Sequence, residues 1–269
     1  MDIILRLDHR WLIPAVSTYT YLEKAIVSHI IVYRRKIVMF VIAPLSNCAS
    51  TAKRDRFIEY LSKIAPVTYK NEPKCRAYAW FRSAEDNDTV PHHWLRGLEV
   101  YEDVEANTIT HRASAEYKAF RAAVGAEGLL ERPSDLRFWR PSSIGFLKRD
   151  ESSRESEIFQ DRSHTTSPDA LQYIVIDEMT PRLGYEDIVI EQLCGMAHLA
   201  EQNDQILSFW VLNRGDEAQD QGILVFSRYK NRNASISDKA ASAWKEVYAL
   251  SNEQRRTTWV ESGLGFLGR

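Results

Sequence analysis

The order of apolar runs in this 269-residue chain predicts an α+β fold made of two ferredoxin-like β-α-β-β-α-β units. Three observations carry that prediction. Strand-like and helix-like periods alternate in one fixed order; that order occurs twice; and both copies end on Gly-Phe-Leu, as Ser143-Ile-Gly-Phe-Leu-Lys-Arg149 and Ser262-Gly-Leu-Gly-Phe-Leu-Gly-Arg269. Chance is a poor account of that echo, and duplication a good one.

In the first copy, Ile37–Ala43 is an apolar strand stopped by Pro44. Ser46 and Asn47, or Ser50 and Thr51, offer caps for a helix through Arg56–Ile64. The turn at Asn71-Glu72-Pro73 leads into an aromatic-rich strand, Cys75–Arg82. After the polar loop Ser83–Thr89 and Pro91 comes a third strand, Trp94–Tyr101. Ser114–Val124 reads as a helix ended by Gly125, and Phe138–Phe146 supplies a fourth strand.

The second copy restarts after a charged, Ser/Thr-rich stretch with no apolar period. Leu171–Ile176 is its first strand, and Tyr185–Ala200 a helix with Ile188, Leu193, Met196 and Leu199 as its apolar side. Ile206–Leu212 and Ile223–Tyr229 are strands around a turn at Gly215–Gly222. Ser237 or Asp238 caps a helix through Ala240, Trp244, Val247 and Tyr248, and Thr257–Phe266 closes the unit.

The expected organisation is therefore an extension at 1–36, a first unit at 37–149, a linker at 150–168 and a second unit at 169–269. Each unit alone would be a four-stranded antiparallel sheet with helices on one face, which leaves the other face bare. A second copy on the same chain covers it, sheet against sheet, as in a barrel. Further self-association of such a pseudo-dimer stays open.

Composition narrows the function. With 35 basic and 37 acidic residues intermixed, no basic face is available for phosphates, which argues against nucleic acid as a partner. Cys48, Cys75 and Cys194 form no CxxC pair, so the expectation is three reduced thiols in a cytoplasmic protein, without a zinc site. The apolar runs Ala25–Tyr33 and Ile37–Leu45 are separated by Arg34, Arg35 and Lys36, and neither reaches the ~20 residues of a membrane span. There is no P-loop, GxSxG or HxxxH pattern.

One stretch is more specific. Leu98-Glu-Val-Tyr-Glu-Asp103, Ala106, His111 and Ala115-Glu-Tyr-Lys-Ala-Phe120 resemble the antibiotic-biosynthesis-monooxygenase family of dimeric α+β barrels. Glu99 and Tyr101 match its Glu and aromatic on the third strand, and His111 its histidine opening the second helix. The resemblance covers about 37–149 and is to tandem, fungal-type members. It implies cofactor-free oxidation of an electron-rich aromatic or polyketide-derived molecule in secondary metabolism. The second copy departs from the motif: Phe226 and Arg228 fall near the places of Glu99 and Tyr101, and Ser235 or Ser237 near that of His111. Any such site belongs to the first copy.

Such an oxygenase needs a base, donors for a developing oxyanion and a dry aromatic pocket. His93, Glu99 and Tyr101 share one strand parity, Trp94 and Arg96 the other, while Tyr78, Trp80 and Arg82 share a face of the preceding strand. One reading makes His93 or His111 the base, oriented by Glu99, with Tyr101 or an arginine on the oxyanion and Tyr78, Trp80, Trp94 and Arg96 on the substrate. The other is structural: Glu99 and His111 hydrogen-bond to pin strand to helix, Tyr101 fills the core, and His92-His93 is a loop end. Haem degradation, also found among such barrels, would need a ligand such as His111 or His198, and nothing favours either. Cyclisation, decarboxylation, isomerisation, or binding without turnover would use the same pocket.

Overall fold

In a computed structural model, residues 39–149, 171–214, 221–236 and 241–268 are described. The expected extension at 1–36, the linker at 150–168, the Ser237 and Asp238 caps, most of the Gly215–Gly222 turn and the final Arg269 lie outside them.

The first copy begins with β1 (Phe40–Ile42) and the short β2 (Leu45–Ser46), interrupted at Pro44, which has no N–H for a sheet. The Ser50 side chain accepts from Lys53 N at 3.2 Å and starts α1 (Thr51–Asn71). Phe57, Leu61, Ile64, Ala65 and Thr68 recur at helical spacing and form its buried side, so Pro66 falls on the outer one. β3 (Cys75–Ser83) and β4 (Leu95–Tyr101) follow, then a five-residue π-turn at Ala106–Thr110 and a 3₁₀ turn at His111–Ala113. Ser114 caps α2 (Ala115–Ala126). That helix runs through Gly125; the chain leaves it at Gly128, whose φ of +57° is the left-handed conformation a glycine permits. β5 (Phe138–Phe146) ends the copy.

The second copy repeats the series: β6 (Tyr173–Pro181), α3 (Glu186–Gln202), β7 (Ile206–Arg214), β8 (Ile223–Tyr229), α4 (Arg232–Ile236), α5 (Ala241–Ala249) and the long β9 (Ser251–Leu267). On α3 the buried side is Val189, Leu193, Met196, Ala197 and Ala200, so Ile188 and Leu199 are exposed. Leu193 and Met196 are buried as expected, while the stripe runs through Val189 and Ala200 instead of their neighbours Ile188 and Leu199.

Within each copy the strand order is fourth, first, third, second: β5-β1-β4-β3 and β9-β6-β8-β7. The two sheets then join edge to edge, β5 to β7 and β9 to β3, so the ring closes into an α+β barrel. The interior is filled from both copies by Phe81, Trp94, Leu98, Trp139, Trp210, Phe226 and Trp259. Two further cores lie between the barrel wall and the helices of each copy.

The repeated Gly-Phe-Leu sits at the two joints. Phe146 packs into the helix-side core of the second copy, and Phe266 into that of the first. Leu147 and Leu267 both turn to the barrel interior. Gly145 (φ +82°) and Gly265 (φ +100°) stand so close to the neighbouring strand that a Cβ would lie 1.9 Å from the Phe209 carbonyl and 1.8 Å from that of Tyr78. No side chain fits there, which explains why the echo keeps its glycine.

Among the described residues no helix is long and apolar enough to cross a membrane, and no three metal-ligating side chains converge.

Candidate functional site

Strand parity divides the first copy's residues between two environments. On β3, Ala77, Ala79 and Phe81 face the barrel interior, while Tyr78 and Trp80 face the helices. On β4, Leu98 and Val100 face inward, and Leu95 and Tyr101 toward the helices, with Glu99 in step with Tyr101. Glu99 lies opposite Tyr78 across the β3–β4 ladder.

A cavity of about 50 Å³, measured to water centres, opens between this wall and the helices. The sheet lines it with Tyr78, Trp80 and Glu99; the helical segments add Phe57, Asn107, Arg112, Tyr117, Phe120 and Arg121. Five of its fifteen lining residues are aromatic, and Glu99 is the one carboxylate among them. Phe57 and Phe120 meet edge to face at 4.7 Å, which fixes α1 against α2 around it.

Glu99 is 8% exposed. The Tyr101 hydroxyl donates to its Oε2 at 2.9 Å, the one side-chain hydrogen bond to this carboxylate among the described residues. Burial lifts its carboxyl above the ordinary value; nearby His111 and the Tyr101 bond counter only part of that. Burial also drives the Tyr78 and Tyr101 phenols well above their usual range, so both are neutral donors at physiological pH. Asn107, in the π-turn, lies near the Tyr101 hydroxyl and lowers that phenol somewhat, while its Oδ1 accepts from Arg112 Nε at 3.0 Å. The Trp80 indole N–H forms no hydrogen bond, though it lies close enough to the Tyr78 hydroxyl to temper that phenol's rise.

His111 stands behind this wall, buried between Tyr78, Tyr101 and Tyr117, with ring centroids 5.3, 5.8 and 5.0 Å away. Its Nδ1 donates to Glu72 Oε2 at 2.9 Å, and Thr68 donates to Glu72 Oε1 at 3.2 Å. The partner that orients the imidazole is therefore Glu72, at the C-terminal end of α1, rather than Glu99. In sequence Glu72 reads only as a turn residue.

Three predicted residues are elsewhere. His93 lies in the turn before β4, which starts only at Leu95, so parity counted back from Glu99 does not reach it. Its Nε2 is 3.2 Å from Glu131, on a partly exposed edge. Trp94 donates to the same Glu131 oxygen at 3.0 Å and packs into the barrel interior. Arg96 points inward too, 1% exposed, and donates to Glu178 of β6 at 3.3 Å. The structure thus gathers Tyr78, Trp80, Glu99, Tyr101 and His111, and leaves His93, Trp94 and Arg96 outside. Glu72, Asn107, Arg112, Tyr117 and Phe120 were not singled out as site residues. For the last two a signal existed, since positions 117 and 120 share the helix face turned to the sheet.

The second copy lacks the acid. Register places Ser227 opposite Phe209 where Glu99 lies opposite Tyr78, and Tyr229 opposite Ile206 where Tyr101 lies opposite Cys75. The counterparts of Glu99 and Tyr101 are therefore Ser227 and Tyr229, one residue beyond Phe226 and Arg228. Arg228 instead points into the barrel, where its Nε donates to Ser208 at 3.0 Å. Ser235 lies in α4.

Comparison with known proteins agrees with this division. Residues 41–123 match the antibiotic biosynthesis monooxygenase family. No curated protein matches the sequence. A proposed monooxygenase from Fusobacterium nucleatum is similar in structure, with a TM-score of 0.64 at 12% identity over 87% of this chain and 100% of that one. One from Lactobacillus acidophilus NCFM gives 0.61 at 10% over 86% and 100%. An anthrone oxidase-like protein gives 0.54 at 13% over 84% and 92%. At these identities the likeness is one of fold, and it extends over both copies.

Proposed function

We propose that this chain, whose residues 41–123 match the antibiotic biosynthesis monooxygenase family, oxygenates an electron-rich aromatic or polyketide-derived small molecule in the pocket at Glu99, without metal or organic cofactor. The observation that carries the reading is a buried carboxylate, raised by desolvation, that lines a cavity together with five aromatic side chains. The likeness to an anthrone oxidase-like fold suggests the first substrates to try.

Glu99 Oε1 takes the acidic proton of an anthrone methylene or a quinol. A buried carboxylate with its pKa raised is a stronger base than an ordinary one. The resulting anion passes one electron to dioxygen, and the two radicals join in a carbon–oxygen bond. The proton on Glu99 returns to the distal oxygen, giving a hydroperoxide. For a methylene, loss of water then leaves a carbonyl, so CH₂ and O₂ become C=O and H₂O. Tyr101 holds Glu99, and Asn107 holds Tyr101 and Arg112. Glu72 and His111 brace the wall from behind.

The test is oxygen consumption with a panel of anthrones, quinols and naphthols, with and without chelator. Chelator-insensitive uptake that disappears in Glu99→Gln supports the reading. A folded protein that consumes no oxygen with any of them, yet exchanges a substrate C–H proton with solvent deuterium, would assign the pocket to non-oxidative proton abstraction.

A further inference from the structure

The oxygenation reading concerns the inner end of the pocket; its outer end carries charge that reading does not use. Arg112 and Arg121 both line the cavity and both are exposed. Arg112 spends its Nε on the Asn107 amide oxygen, and among the described residues neither guanidinium has a carboxylate within ion-pair distance. Most other arginines near this copy's helices are paired: Arg54 with Asp55, Arg56 with Glu59 and Glu127, and Arg76 with Glu102.

Both cations are felt inside. Each lowers the Tyr117 phenol against the rise that burial imposes, and Arg112 acts on Glu99 in the same direction. They therefore lie on the Tyr117 side of the pocket. The cavity is thus polarised, with aromatic side chains in its walls, a buried carboxyl at Glu99 and two guanidiniums without an ion-pair partner among the described residues. Guanidinium forks suit planar, bidentate anions, and a mouth of one sign draws in ligands of the other.

We infer that the ligand is an aromatic carboxylate, its ring between Trp80, Phe57, Tyr117 and Phe120 and its carboxylate on Arg112 and Arg121, so that the reacting carbon is turned to Glu99. This deepens the proposed function and rests on the pocket being the substrate site.

The test is equilibrium binding of a matched pair, a hydroxynaphthoic acid and the naphthol lacking its carboxylate, to the full chain, followed by tryptophan fluorescence and calorimetry. The acid is expected to bind at least about tenfold more tightly, the effect of one charge-assisted bond at a partly exposed site. That ratio should shrink with added salt and fall toward one in Arg112→Gln/Arg121→Gln. Arg121→Glu, a change on the exposed face of α2, should reverse the preference without unfolding the protein. Equal affinities in the unaltered protein, or a preference that survives the double substitution, would overturn the inference. Because binding is read without turnover, a carboxylate preference without oxygen uptake would retain this inference while removing the oxygenase reading.

Discussion

The guanidinium of Arg96, on a strand of the first copy, donates to Glu178, on a strand of the second, at 3.3 Å inside the barrel. Arg137 reaches the same oxygen at 2.9 Å, and Arg255 Nε the other at 2.8 Å. One carboxylate thus ties three arginines from β4, β9 and the approach to β5.

Glu178 should therefore be the main acid-sensitive point of the closed ring. Burial alone would raise its pKa, but Arg96, Arg255 and Arg137 outweigh burial and hold it at about 2, below the ordinary 4.5. A carboxylate depressed in the folded state contributes stability that is complete above its unfolded value and lost as pH falls toward the folded one. Melting curves should show a loss between about pH 4.5 and 2 that is smaller in Glu178→Gln. At neutral pH Glu178→Ala should cost roughly 3–5 kcal/mol, because Arg96 stays buried without its counter-charge.

Substitutions at the site should separate chemistry from packing. Glu99→Gln keeps the side chain's shape and removes the base, so oxygen uptake should fall by about 10²–10⁴ with little change in melting temperature. A thermally intact Glu99→Gln enzyme that keeps full activity would exclude Glu99 as the base.

Tyr101→Phe makes a narrower prediction. The lost hydrogen bond favoured the ionised form of Glu99, so the carboxyl should move further up. Activity carried by ionised Glu99 rises with pH, and the acid limb of the rate profile should shift to higher pH in this variant. An unmoved limb would mean that another group sets it.

The two joint glycines should behave differently. Gly145→Ala and Gly265→Ala each force a side chain into a positive-φ position and onto a backbone carbonyl, and each should cost at least about 2 kcal/mol. Only Gly265 presses on Tyr78, a wall of the pocket. Below both melting points, Gly265→Ala should lose activity and Gly145→Ala should retain it.

What was legible in the sequence was what repeats with a short period. Alternating runs such as Cys75–Ser83 and Ile223–Tyr229 announced their strands, and the doubled Gly-Phe-Leu announced the joints. Parity on β4 correctly set Glu99 and Tyr101 apart from Arg96. It failed at His93, because a strand's start depends on its partner, and β3 pairs with β4 only from Leu95 on. It failed also in locating the second copy's equivalents, since only register, through Phe209 and Ser227, decides between neighbouring residues. Glu72 was invisible for another reason: nothing local marks a turn glutamate as a partner for a histidine 39 residues away.

The edge-to-edge joining of β9 to β3 changes what each half of the gene is free to lose. The pocket's strand β3 is completed by Trp259–Leu267 of β9, and Phe266 meets Tyr69 of α1 edge to face at 5.0 Å. Ser227 in place of an acid leaves the first copy's site whole, whereas loss of Phe266 and Leu267 would strip β3 of part of its partner strand. The second copy is therefore coupled to the first copy's pocket through its rim, where Gly265 meets Tyr78, and not through Ser227, the counterpart of Glu99.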